Sequence, residues 1–291
     1  MQSRGITVAV VATAFPALAA CLLTTDLDSL SEPDATIIIN NTSSGTSGTS
    51  SGASGSGGVD GGSDAASDAV PTSDGGPFCS GYLDATFCTE FSTPIAQEWG
   101  STEKTTRGDV SLTTDSPRSP PTALRATIVA GPAAADRAYV TRAFTPKIYN
   151  YVRWSFDIRV GSIGTGQIEV GSLTFEPDGA GYGYVPVIKR DRSLHLLAQK
   201  DVTGSEEYFG PYGTIPLNSW ARITVEVELF PTTPSRVSMY LDGNKVLNQM
   251  IVDKGLGPNT FLLAQGVHFQ RREMQDVETK LDFDNVLIEG R

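Results

Sequence analysis

Residues 152–160, VRWSFDIRV, alternate without a break: Val152, Trp154, Phe156, Ile158 and Val160 are apolar, and Arg153, Ser155, Asp157 and Arg159 are polar. Successive side chains of a β-strand point to opposite faces, so such a segment has one face to bury and one to leave polar. A helix would scatter the same apolar residues around its whole circumference. Residues 221–229, ARITVEVEL, repeat the pattern, with Ala221, Ile223, Val225, Val227 and Leu229 against Arg222, Thr224, Glu226 and Glu228. RVSMYLDGNKVLNQM reads as a hairpin turning at Asp242-Gly243-Asn244, residues that tolerate positive φ. Further strands are predicted near 109–113, 122–129, 137–144, 167–175, 181–188, 193–199, 260–269 and 279–289, separated by Pro and Gly turns. No window of a dozen residues keeps a 3.6 period. The 213 residues from Cys79 onward are enough for one large sandwich of two stacked antiparallel sheets.

The segments TALRATIV, YVRWSFDIRV, LNSWARITVEVEL, VSMYLDGNKVL and LDFDNVLIE resemble the strands of concanavalin A-like, laminin-G-like jelly rolls. The hairpin containing Tyr240, Leu241, Asp242 and Gly243, and the strand that starts at Trp220, carry most of the resemblance. It covers nearly all of residues 79–291 and implies an all-β fold, a two-sheet antiparallel jelly-roll sandwich. Jelly rolls of this group include lectins, glycan-binding modules, glycoside hydrolases and polysaccharide lyases, so the architecture leaves activity open.

Ahead of the sandwich, residues 1–20 carry one positive side chain, Arg4, then an apolar run ending in small residues, which is a secretory signal in outline. The run is too short to span a bilayer and is interrupted by Pro16. Leu18, Ala19, Ala20 and Cys21 resemble the lipobox of bacterial lipoproteins. The resemblance implies lipidation of Cys21, with Leu22 compatible with export to the outer membrane and either its periplasmic or its cell-surface face. The alternative is an ordinary secretion signal with a cysteine near its cleavage site. Residues 21–77 form a Gly/Ser/Asp-rich tether without Lys or Arg after Cys21, a composition too polar to offset the entropy of ordering. As a flexible coil it has a root-mean-square span of roughly 40 Å. Its short apolar run, Ile37 to Ile39, has no neighbouring strand signals. Cys79 and Cys88 are expected to form a disulfide in an oxidising compartment.

Most of the net charge of −11 lies before residue 78, and the remainder carries 21 basic and 25 acidic groups. That balance lacks the clustered cations that nucleic acid requires. The membrane, through the lipid anchor, and a glycan or an envelope protein are the expected partners.

The search for chemistry begins with paired carboxylates, which retaining glycoside hydrolysis needs about 5 Å apart. Glu169 and Glu176 are seven residues apart, which places them on opposite faces of a regular strand. Asp282 with Asp284, and Glu226 with Glu228, have the right parity but are expected to face solvent. The arginine, glutamine–histidine and tyrosine signatures of lyases with this fold are not evident along the chain. His195 and His268 alternate away from apolar neighbours and could share one cleft with Glu169 if their strands join one sheet. Tyr182 and Tyr184 share one strand face, and Tyr208, Phe209 and Tyr212 follow in an expected loop; stacked on sugar rings, they would make a platform. Half-buried strands favour tyrosine equally. Trp154 is expected in the core, with Trp99 and Trp220 packing at strand starts. No metal site or cofactor is expected, with calcium at Asp178 and Gly179 the one loop candidate. The expected role is noncatalytic glycan binding. A structural or protein-interaction role comes second, and a carbohydrate-active hydrolase or lyase third.

Overall fold

The computed structural model describes residues 77–132, 135–144, 149–164, 166–176, 182–199, 206–230, 235–251, 260–268 and 276–291, without the side chains of Glu176, Tyr182, Met250, Ile251 and Thr260. The expected signal, Cys21, the Ile37 to Ile39 run and the tether up to residue 76 lie outside the described residues, as does Asp178.

In chain order the strands are β1 (Phe87–Thr89), β2 (Ser101–Lys104), β3 (Gly108–Thr113), β4 (Ala123–Ile128), β5 (Arg137–Ala143), β6 (Tyr151–Ser162), β7 (Gln167–Glu176) and β8 (Tyr182–Lys189). They continue with β9 (Leu194–Gln199), β10 (Glu206–Phe209), β11 (Trp220–Glu228), β12 (Ser235–Leu241), β13 (Asn244–Ile251), β14 (Thr260–His268) and β15 (Thr279–Gly290). Every strand expected from alternation is present. The hairpin turns as expected, with Asp242 and Gly243 both at positive φ. β1, β2 and β10 were not foreseen, because three or four residues are too few to establish a period. β10 corrects the expected loop at Tyr208 and Phe209.

The strands form an all-β, two-sheet antiparallel jelly-roll sandwich. One sheet has the order β13-β12-β11-β6-β15-β4-β3, with β1 paired to β15 off this path, and the other has the order β10-β9-β8-β7-β14-β5-β2. Their inner faces meet in one apolar core. Trp154, Phe156, Ile158, Ile223, Val225 and Phe283 come from the first sheet, and Ile168, Leu173, Phe175, Leu196 and Phe261 from the second. Trp99 packs edge-on to Phe87 and stacks on Phe91 just before β2.

The outer face of the first sheet is not the wet surface that alternation implied. Ser155, Asp157, Asp282 and Asp284 are all buried there, which corrects the expectation of solvent-facing acids. The connection from β3 to β4 folds over them. Ser119 N–H donates to Asp284 (2.8 Å), Arg159 donates to the Asp115 carbonyl (2.5 Å), and Trp220 Nε1 donates to the Ser116 carbonyl (3.1 Å). Beneath it Asp282 receives Arg125 (2.7 Å) and Arg159 (2.5 Å), while Asp157 receives Arg222 (3.2 Å) and the Asn285 amide (2.7 Å). Buried carboxylates need such partners, because unpaired charge is costly away from water. Among the described residues Asp284 has no cation of its own. Burial pushes its carboxyl up to about 7, against the opposing pull of the Ser119 and Asn285 N–H groups.

Cys79 and Cys88 are disulfide-bonded as expected, with Cα atoms 5.7 Å apart. The bridge ties the helical turn Phe78–Gly81 to β1. The Phe78 ring lies over the Arg222 guanidinium at 5.2 Å.

Candidate functional site

The outer face of the second sheet brings polar residues from distant parts of the sequence into one row. His195 on β9 faces Val187 on β8, Val187 faces Glu169 on β7, Glu169 faces His268 on β14, and His268 faces Arg137 on β5. Both histidines and Glu169 therefore share one sheet and one face, the condition under which the sequence joined them.

The centre of the row is a histidine–carboxylate pair. His268 Nδ1 lies 2.8 Å from Glu169 Oε2. A carboxylate only accepts, so Nδ1 carries a proton, and in the neutral ring it is Nε2 that presents the lone pair. Glu169 is only 7 % exposed, and its second oxygen, Oε1, is buried without a hydrogen-bond partner among the described residues. Beside the pair stands Tyr139, whose ring meets the His268 ring edge-on at 6.1 Å. Its hydroxyl donates to Glu103 Oε2 (2.9 Å), with Arg137 Nε 3.8 Å from the same carboxylate oxygen. Burial, together with Glu103, pushes the Tyr139 phenol up to about 12, so it keeps its proton at neutral pH.

Gly266 makes this juxtaposition possible. It faces Tyr139 across the β14–β5 ladder with φ +147°, and a Cβ there would lie 2.3 Å from the Ala138 carbonyl oxygen and 2.6 Å from Tyr139 Cα. Only glycine allows β5 to approach β14 this closely at that backbone angle.

Toward the β10 edge the face changes character. Val185, Val187 and Leu197 form a small buried apolar cluster separate from the main core. Tyr208 on β10, 38 % exposed, accepts from Gln167 Nε2 on β7 at 2.9 Å. β9 and β8 lie between those two strands, so the tyrosine side chain extends over both. Past Gln167 the face carries a shallow, open hollow of about 630 Å³ lined by Gly166, Gln167, Lys189, Arg190 and Asp191.

Other expected site residues are not brought together. His195 is 7 % exposed and lies about 14 Å from His268 by three strand spacings. The Gly210 backbone packs so closely that a Cβ there would lie 2.7 Å from His195 Nδ1. Burial, then the Lys189 charge, holds its pKa below the usual range, and its Nε2 bonds Ser193 Oγ (3.0 Å). It is a covered histidine and not part of an open sugar site. Tyr184 is 2 % exposed and packs edge-on to Phe175, 6.2 Å away, so the Tyr182–Tyr184 platform is corrected. The reason is alternation: β8 turns Tyr184 and Ile188 inward, where ring area is worth more than on the surface. Tyr182 is placed by its backbone in β8, and its side chain lies outside the described residues. Tyr212 is half-buried against the core, and burial raises its phenol. A register shift in β7 between Glu169 and Leu173 breaks the regular-strand count applied to Glu169 and Glu176. Asp282 and Asp284 belong to the opposite sheet, away from this face.

Arg137, Tyr139, Gln167 and Glu103 were missed in the sequence. RAYVTRA did carry the signal, since Arg137, Tyr139 and Thr141 alternate with Ala138 and Val140. β2, which supplies Glu103, was too short to detect. Arg137, Gln167, Tyr139 and His268 come from three strands, so no contiguous stretch displays them. Among the described residues no group of three His, Cys, Asp or Glu side chains is arranged to hold a metal.

No family model and no curated protein matches the chain. Solved structures do match. The endo-β-1,4-glucuronan lyase of the fungus Trichoderma reesei superposes with a TM-score of 0.58 at 12% identity, over 71% of this chain and 96% of the lyase. The alginate lyase vAL-1 of a Chlorella virus gives 0.58 at 9% identity, over 71% and 100%. The alginate lyase of Aplysia kurodai gives 0.53 at 11% identity, over 71% and 99%. Likeness at such low identity establishes the shared fold. Noncatalytic glycan binding, the role expected from the sequence, is corrected here: the three structures superposed above are polysaccharide lyases, and the expected tyrosine platform is partly core.

Proposed function

We propose that the sandwich is a polysaccharide lyase that cleaves a uronate-containing glycan by β-elimination on the outer face of the second sheet. The observation that carries this reading is the 2.8 Å bond between His268 Nδ1 and Glu169, with Tyr139 and Arg137 beside it. β-Elimination needs a base for the hydrogen on the carbon next to the carboxylate, a cation to stabilise the charge developing there, and an acid for the departing oxygen. His268 Nε2 takes the hydrogen as a proton. The C–H electron pair becomes the new C=C bond, and the C–O bond to the next sugar breaks with its pair going to oxygen. Tyr139, protonated at neutral pH, turns its hydroxyl from Glu103 to that oxygen and gives up the proton to it. Arg137 faces the substrate carboxylate, and Glu169 holds the His268 ring in its basic tautomer.

The test incubates the chain with alginate, with glucuronan and with neutral glucans, following the ultraviolet absorbance of the C=C bond conjugated to the carboxylate. Absorbance should grow with a uronate polymer only. His268→Gln, which can still donate to Glu169, should lower the rate by about 10²- to 10⁴-fold, the usual contribution of a general base. Folded protein that leaves every uronate polymer intact, or a His268→Gln variant with full activity, would refute the reading.

The lipobox-like residues 18–21 support a second part of the reading: a chain lipidated at Cys21 and held at the outer membrane, with the lyase domain on a flexible tether. Labelling by a fatty-acid probe should disappear in Cys21→Ser. Undiminished labelling would remove the anchor.

A further inference from the structure

The lyase reading leaves unexplained how a domain with 21 basic and 25 acidic groups holds a polyanion. Its overall field repels such a ligand, so binding needs cations concentrated where the polymer lies. The hollow beyond Gln167 supplies them. Lys189 closes β8 opposite Gln167, and Arg190 follows it in the turn. Gln167 lies two residues from Glu169 on the same face of β7, which puts the Lys189 backbone about 12 Å from that of His268 by strand spacing and rise. That separation suits a neighbouring sugar of the same chain and not the one being cleaved.

Three features prepare the hollow for an anion. The Gln167 side chain is fixed by its bond to Tyr208, so its remaining amide valences keep a set direction. Asp191, the one acid in the lining, already accepts from both Ser193 N–H (2.9 Å) and Ser193 Oγ (2.6 Å), and so is committed to its own turn. Arg190 is engaged only loosely, its guanidinium standing 3.6 Å from Asp276 at the exposed surface.

We infer that this hollow is an anionic-sugar subsite, in which Lys189 and Arg190 bind the carboxylate of a uronate unit flanking the cleavage point and Gln167 bonds a ring hydroxyl. The inference rests on the lyase reading for the direction of the polymer. Charge-assisted bonds to a carboxylate strengthen binding of substrate and transition state alike, so the subsite acts on KM and leaves the chemical step alone.

The experiment uses the full chain in two arms. In steady-state assays on alginate and glucuronan, Lys189→Gln/Arg190→Gln should raise KM about tenfold with kcat within about twofold. In affinity electrophoresis through gels containing the same polymers, His268→Gln protein should be retarded, and adding the two cation substitutions should abolish retardation, with none on a neutral dextran gel in either case. An enzyme that cleaves with unchanged KM after both substitutions overturns the subsite and leaves the lyase intact. Cation-dependent retardation by a protein that cleaves nothing supports the subsite and overturns the lyase. Retardation that survives the double substitution, or is equal on dextran, overturns the subsite whatever the activity.

Discussion

Asp284 gives the most quantitative prediction, because it is a buried acid that no cation among the described residues pairs with. Its carboxyl accepts from Ser119 and Asn285 N–H groups at 2.8 Å each, yet burial, with a smaller push from the Asp157 charge, still raises it from 3.8 to about 7. The folded chain therefore keeps a proton that the unfolded chain releases near pH 4. Between about pH 4 and pH 7 the native state binds more protons than the unfolded one, so this group's contribution to stability declines as pH rises through that window and is level above it. About three pKa units at 1.36 kcal/mol each set the span at about 4 kcal/mol. The perturbation is Asp284→Asn, which fixes the group as neutral and retains a carbonyl acceptor. Urea unfolding followed by tryptophan fluorescence, at pH steps from 4 to 8, gives the stability of both proteins, and their difference cancels the other titrating groups. Relative to the variant, the wild type should lose several kcal/mol between pH 4 and pH 8. Two stability curves that run parallel within about 0.5 kcal/mol would show that Asp284 ionises at an ordinary pH and that its burial carries no such penalty.

Gly266→Ala should abolish lyase turnover and lower stability by several kcal/mol, since the new methyl meets backbone on β5; a variant with native melting and full turnover would contradict the close approach described for Tyr139. Tyr184→Ala should cost about 3 kcal/mol or more in urea unfolding, as expected for a large side chain removed from the core, and an unchanged midpoint would restore it to the surface. Replacing both Cys79 and Cys88 by Ser should cost about 2 to 3 kcal/mol, measured under non-reducing conditions. His195→Phe should leave turnover within about threefold, because the ring is covered by Gly210; a large loss of kcat would return it to the site.

How far the sequence reveals this molecule depends on the range of each interaction. Alternation in 152–160 and 221–229 is local, and the strands and core that follow from it are as expected. What alternation cannot say is whether the polar face will be covered. In DFD the acids at 282 and 284 look like surface residues, and they are buried because a segment more than 150 residues earlier folds over them. The same limit hid the site. Glu103, Tyr139, Glu169 and His268 are ordinary residues on four strands, and only the order β7-β14-β5-β2 makes them neighbours. The histidines and Glu169 were linked conditionally, and sheet membership met the condition for His268. For His195 a second requirement failed, since the Gly210 backbone, in a turn that no strand pattern encodes, covers the ring.

The disulfide near the start of the domain has a mechanical side. Cys88 sits in β1, whose three residues pair with the C-terminal strand β15, and Cys79 lies two residues after Pro77. Tension applied at residue 77 against the rest of the domain crosses the sulfur bridge and bypasses residues 80–87. It is delivered to β15, which runs through the middle of its sheet between β6 and β4. A pull on residue 77 is thus shared by long central ladders, and the small loop beside the bridge is bypassed.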